Sequence, residues 1–390
     1  MKWWTGILLA VVLLLCDGCV LAQEEINTEQ ETEISLQIEE IMDTYMKELQ
    51  LEELQESIEQ MVPEISFNLK DSIRKMMRGE LPLNMETIKQ VIKQAFAAEV
   101  QSQRSVFVQI LVLAAAASVF ANFVKIFENN QISDVAFYMI YLLLFVLLMK
   151  AFGNLSRLTE ENLGQILQFM RLLLPVYLVV SSLAAGSVTA IGFYELTLLF
   201  LTAAQMLLTY VVLPGIRFYV LFLLLNYVSR EAYLTKLAEL IKTALAWILK
   251  TLLAFVIGIQ TIQSLLLPVI DALKNSLWSK AVNLVPVLGN TLNAVTETVL
   301  GTAVLLKNAV GVMGMIAIVL ICLIPVVRLA VSVFLYKTAA AVIQPVSDRR
   351  IPECVSAVGE GAVLLLKTVS VTAVMFLITL VLVTASIRSI

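Results

Sequence analysis

Two stretches, SVFVQILVLAAAASVF (105–120) and DVAFYMIYLLLFVLLM (134–149), are apolar on every helical face, and similar runs follow them along the chain. A helix that is hydrophobic all round has no side to turn to water, so it must be enclosed by protein or by lipid. About 20 such residues cross the roughly 30 Å of hydrocarbon in a bilayer. The sequence predicts spans near 105–124, 133–152, 172–191, 196–213, 251–270, 309–327 and 362–387, with a shorter one at 218–228. Composition agrees: 59% of residues are hydrophobic, against about 45–50% in soluble domains, and the mean hydropathy is +0.88. The expected fold class is an all-α, polytopic helical membrane protein.

The first 22 residues read differently. Lys2, the short apolar core ILLAVVLLL (7–15) and VLA (20–22) before Gln23 have the form of a secretory signal peptide, with an uncleaved anchor helix as the alternative. Cys16 and Cys19 lack the approach expected of a lipidation site, and Cys322 and Cys354 are too far apart to suggest a disulfide framework or a metal site. Residues 23–64 hold fourteen Asp or Glu and one basic residue, Lys47. Ile34, Ile38, Ile41, Tyr45 and Leu49, then Leu51, Leu54, Ile58 and Met61, recur at helical spacing. Residues 23–104 are therefore expected to form an acidic, helical, extracytoplasmic segment ahead of a membrane domain, 105–390. Its acidic face is either simply solvated or part of a docking helix whose apolar stripe is buried on a partner. Such acidity disfavours nucleic acid and anionic lipid as partners.

Helix breaks are expected at Pro175, Pro214, Pro286 and Pro325. A turn at Pro214-Gly215 makes 196–213 and 218–228 separate spans and puts the basic loop containing Arg230, Lys236 and Lys242 in the cytoplasm, as the positive-inside tendency requires. The chain also resembles itself. LLPV (173–176) and LVPV (284–287), and LPGIR (213–217) and IPVVR (324–328), are each 111 residues apart, and ILKT (248–251) matches LLKT (365–368) after an insertion. This suggests two repeats, 172–270 and 284–385, as in transporters built from two halves, with parallel or inverted arrangement left open.

The second half begins with NLVPVLGNTLNAVTETVLGTAVLLKNAVG (283–311). After Pro286 and Gly289, Asn290, Asn293, Glu297, Gly301, Val304 and Asn308 form one polar or small-residue stripe on an otherwise apolar helix. A carboxylate in hydrocarbon costs roughly 2.5 kcal/mol or more, so Glu297 should face protein, water or a cation. Lys250, Lys307, Arg217 and Arg328 are the candidate charge partners. The stripe reads either as the lining of a passage or as the wet face of a helix lying at the interface.

NLVPVLGN (283–290), ETVLGTAVLLKNAVG (297–311) and YKTAAAVIQP (336–345) resemble the signature region of the stage III sporulation protein AE family. The resemblance implies a protein of endospore-forming bacteria, in the mother-cell membrane that surrounds the forespore. It implies membership of a secretion-like transenvelope complex with other stage III sporulation proteins, including a separate ATPase, and it leaves a homo-oligomer open. It carries no catalytic residues. The residues agree: histidine is absent, and no Walker-type or dinucleotide glycine motif occurs, so neither enzyme activity nor a cofactor or metal is expected. A self-sufficient secondary transporter and a membrane-anchored scaffold are the alternative readings.

Overall fold

The computed structural model describes residues 51–61, 68–77, 85–124, 130–185, 190–228, 233–282 and 292–386, and from 270 to 300 backbone only. Among these residues there is no strand. The helices are α1 (Leu51–Met61), α2 (Leu69–Met77), α3 (Met85–Val124), α4 (Asn130–Ala185), α5 (Ala190–Leu207), α6 (Leu213–Val228), α7 (Thr235–Val282), α8 (Leu292–Ile343) and α9 (Arg350–Ser386). A π-helical turn, Leu208–Val212, joins α5 to α6. The signal-peptide reading and most of the acidic segment lie outside the described residues.

Among the described residues, six helices are long and apolar enough to cross a membrane, with candidate spans in α3, α4, the α5–α6 pair, α7, α8 and α9. Two expectations are corrected. The spans expected at 133–152 and 172–191 are joined in one 56-residue helix, α4, up to its end at Ala185. The polar residues between them, 153–171, open with Gly153-Asn154 but contain no proline. They present Leu155, Leu163, Ile166, Phe169 and Met170 to the core on one helical face, and that amphipathic pattern continues the helix. Likewise, 196–213 and 218–228 are one rod. At Pro214 the chain does not turn; the preceding π turn, in which the Leu213 N–H reaches Leu208 O, takes up the disturbance that the missing proline donor creates. Pro175 and Pro325 also sit inside continuous helices, so of the expected breaks none within the described residues interrupts a helix. Pro286 lies outside them.

At 1.5 Å per residue, α4 is about 84 Å long, nearly three times the thickness of a hydrocarbon core. Its length makes it the axis of the molecule. It packs on α3, α5, α6, α8 and α9, and α8 and α9 form the most extensive helix pair. Close approach depends on small residues, as in other membrane bundles. A Cβ at Gly314 would meet Leu173 at 2.5 Å and Leu380 at 3.0 Å, and one at Gly361 would overlap Val220 and the Phe152 ring. The short α1 and α2 join the same core through Leu54, Ile58, Leu69 and Ile73, all at most 3% exposed. The apolar stripe of α1 is therefore already covered by its own chain. The partner-docking reading does not hold for that stripe; Glu52, Glu53, Glu56 and Glu59 face outward.

If each long helix crosses once, the two corrections cancel in the topology. The ends of α3, α6 and α8, at Val124, Val228 and Ile343, then fall on one side, with Lys236, Arg349 and Arg350 near it and Lys125 and Arg230 following in the sequence. The positive-inside tendency predicts the cytoplasm for that side. A cysteine introduced at Ser347 should resist a membrane-impermeant thiol reagent in protoplasts and react after lysis. Labelling in intact protoplasts would invert the topology.

Candidate functional site: a polar seam along the central helix

The middle of α4 carries polar groups that the surrounding core must satisfy. Ser156, Thr159 and Asn162 are at most 1% exposed and, at spacing three, lie along one edge of the helix. Thr159 Oγ1 donates to its own backbone at Leu155 O, 3.0 Å away. Ser156 Oγ accepts from Arg217 Nε at 2.7 Å, and Arg217 Nη2 reaches Glu160 Oε2 at 2.7 Å. One guanidinium of α6 thus ties together two residues one turn apart on α4.

Asn162 closes a different gap. Pro325 has no N–H, so the Ile321 carbonyl four residues earlier on α8 has no helical donor. The Asn162 side-chain amide donates to it at 3.1 Å. An unpaired carbonyl in a dry core costs about 1–3 kcal/mol, so this bond lets α8 stay helical through its proline. Arg328, three residues past the proline, lines a cavity of about 250 Å³ with Gln60, Leu158, Glu161, Asn162, Gln165 and Pro325. The two proline–arginine sites of the sequence therefore converge: Arg217 engages Ser156 and Glu160 of α4, and Arg328 lies across from Glu161 and Asn162.

The other predicted residues fare unevenly. Asn308 is exposed, as is Gly301, while Lys307 next to it is 4% exposed; the stripe faces away from the core and the lysine faces in. Lys250 is exposed. Asn290 lies outside the described residues, and so do the side chains of Asn293 and Glu297, so no pairing of Glu297 with any of the four cations is established.

Three polar clusters were not anticipated from the sequence. Glu99, 7% exposed, accepts from Ser332 Oγ at 2.8 Å and Gln103 Nε2 at 2.9 Å. Glu360 Oε2 accepts from Tyr219 and from Lys242, each at 2.7 Å. Tyr141 Oη donates to Leu224 O at 2.6 Å and lies 2.8 Å from Cys354 Sγ. In each case helices distant in sequence supply the partners. The available signal was the amphipathic spacing within 153–171 and the isolated charge at 99 on an apolar face.

Comparison with known proteins adds what geometry alone does not give. The sequence profile described as stage III sporulation protein AE matches residues 67–386. The chain belongs to the stage III sporulation protein AE family. A similar relative is the stage III sporulation protein AE of Bacillus subtilis (strain 168), 23% identical over 387 residues, covering 97% of this chain and 96% of that one. No solved structure matches. The seam lies wholly inside the matched region, so it belongs to the family's part of the molecule rather than to the acidic leader.

The two polar contacts of the seam should differ in weight. Asn162→Leu orphans the Ile321 carbonyl and should lower stability by about 1–3 kcal/mol. Arg217→Gln breaks a half-exposed ion pair and should lower it by less than about 1 kcal/mol. Thermal unfolding of the detergent-solubilised variants gives the order; a larger loss for Arg217→Gln would contradict the role assigned to Asn162.

Proposed function

We propose that this chain is the integral membrane subunit of a mother-cell-to-forespore transenvelope complex, non-catalytic itself and dependent on a separate ATPase for energy. The family match over residues 67–386 carries the reading. The structure supports it in kind: among the described residues, six candidate membrane helices enclose a core in which proline-containing helices stay continuous around a polar midsection. That is a build suited to a platform holding fixed relations among partners. Cross-linking in sporulating cells, with photoreactive residues on the outward acidic face of α1 at Glu53 and Glu56, should recover other stage III sporulation proteins. Recovery of none of them, at normal protein abundance, would remove the assignment.

A second reading, a self-sufficient transporter, has its own observation. The Pro214/Arg217 and Pro325/Arg328 helices both face residues 156–165 of α4, and each continues through a short connection into a following long helix. This arrangement supports an internal duplication with parallel halves about the α4 axis. Solute uptake by liposomes containing the purified chain alone would favour this reading over the subunit.

A further inference from the structure

We propose that the cavity between α1, the middle of α4 and the Pro325 turn of α8 is a binding site for a small primary amine in its ammonium form. The first observation is Asn162. Its side-chain nitrogen must point at Ile321 O, because a backbone carbonyl only accepts. Its Oδ1 is thereby turned to the other side, buried and without a hydrogen-bond donor. Asn162 is 1% exposed and lines the cavity, so the donor that this oxygen calls for is to be supplied from the cavity. The second observation is Glu161, the next residue on α4 and another part of the wall. Glu160 is committed to Arg217, whereas no hydrogen bond or ion pair engages the Glu161 carboxylate among the described residues. Glu161 is exposed, so a solute reaches it from outside.

These groups select the ligand by charge and by hydrogen-bond type. An ammonium has three donors and no acceptor. One N–H serves the Asn162 oxygen, a second serves the Glu161 carboxylate, and the third meets an amide oxygen of Gln60 or Gln165. An anion brings no donor for Asn162 and is repelled by Glu161. An alcohol serves the Asn162 oxygen but leaves the carboxylate charge unmatched. A calcium ion takes about six to eight oxygens, carboxylates among them, and this wall has one carboxylate. Arg328, also in the wall, has a partner of its own, so it receives no ligand group. Its positive charge disfavours a second positive charge on the ligand. Met61, Leu158, Ile321 and Ile324 give a short carbon chain an apolar surface. The volume, about 250 Å³, is below the roughly 300–1,000 Å³ of drug-sized sites and limits that chain to a few carbons. Gln60 and Met61 come from α1, so that helix forms one side of the site.

Binding at this site is separate from membership of the complex, and the purified full chain in lipid nanodiscs tests it, with empty nanodiscs as the blank. Equilibrium dialysis with labelled n-butylamine, compared with butanol, butyrate and 1,4-diaminobutane, reads the charge requirement directly. The expected result is saturable binding of n-butylamine, one per chain, with the other three at least ten-fold weaker. Glu161→Gln should weaken binding at least ten-fold. Glu160→Gln removes a carboxylate one residue away that already serves Arg217, and it should leave binding unchanged. Thermal unfolding confirms that each variant is folded. No saturable binding of n-butylamine, as for a cavity that holds only water, overturns the proposal. So does any of the three comparison compounds binding as tightly, or binding indifferent to Glu161→Gln. An equal loss in Glu160→Gln also overturns it, since that marks a general attraction of amines to an acidic surface. Spore yield and partner cross-linking are read in separate experiments, so loss of the site leaves the subunit assignment standing.

Discussion

A backbone carbonyl released by proline inside an apolar core has no water to turn to, and the whole bundle is arranged around meeting such demands. At Pro325 the Ile321 carbonyl is met by Asn162, which requires α4 to pass polar-side-inward at that level. At Pro214 a π turn precedes the proline, and the Leu213 N–H reaches back to Leu208 O. Both solutions keep long helices unbroken. Unbroken helices let α4 act as a single axis against which α3, α5, α6, α8 and α9 pack, and the arginines three residues past each proline then reach the same stretch of that axis.

How much of this was visible in the sequence follows from the physics of each element. Apolar runs such as 105–120 and 134–149 announce membrane helices because nothing else tolerates them. The ends of helices were less legible. Residues 153–171 are polar enough to pass for a loop, yet their apolar residues recur on one helical face, and that periodicity outweighs mean polarity. Pro214-Gly215 has turn composition, but in a bundle a helix can continue past proline when a neighbour or a π turn absorbs the lost donor. Gly215 instead serves packing, since a Cβ there would meet Leu245 at 2.8 Å.

The site was legible only in part. The proline–arginine pairs at 214/217 and 325/328 stood out by their repeated spacing, and both lie at the polar seam. Their partners, Ser156, Glu160, Glu161 and Asn162, are remote in sequence from them and carry no motif. Glu99 and Glu360 are single charges that each take a partner, Ser332 and Lys242, from a helix more than a hundred residues away. The stripe from Asn290 to Asn308 had the stronger local pattern, but Gly301 and Asn308 are exposed and Val304 only half-buried, and the inward charge on that turn is Lys307. Periodicity identifies a face; it does not say which face the rest of the bundle will cover.

The continuity of α4 is the claim on which the seam, the cavity and the topology all depend. Spin labels at Leu143 and Val179, both exposed, measure it by pulsed electron–electron resonance in the reconstituted full chain. A single helix places the two sites 36 residues and about 54 Å apart. Two antiparallel spans joined by a loop at 153–171 would bring them within about 10–20 Å of each other, at neighbouring-helix separation, and would contradict the account.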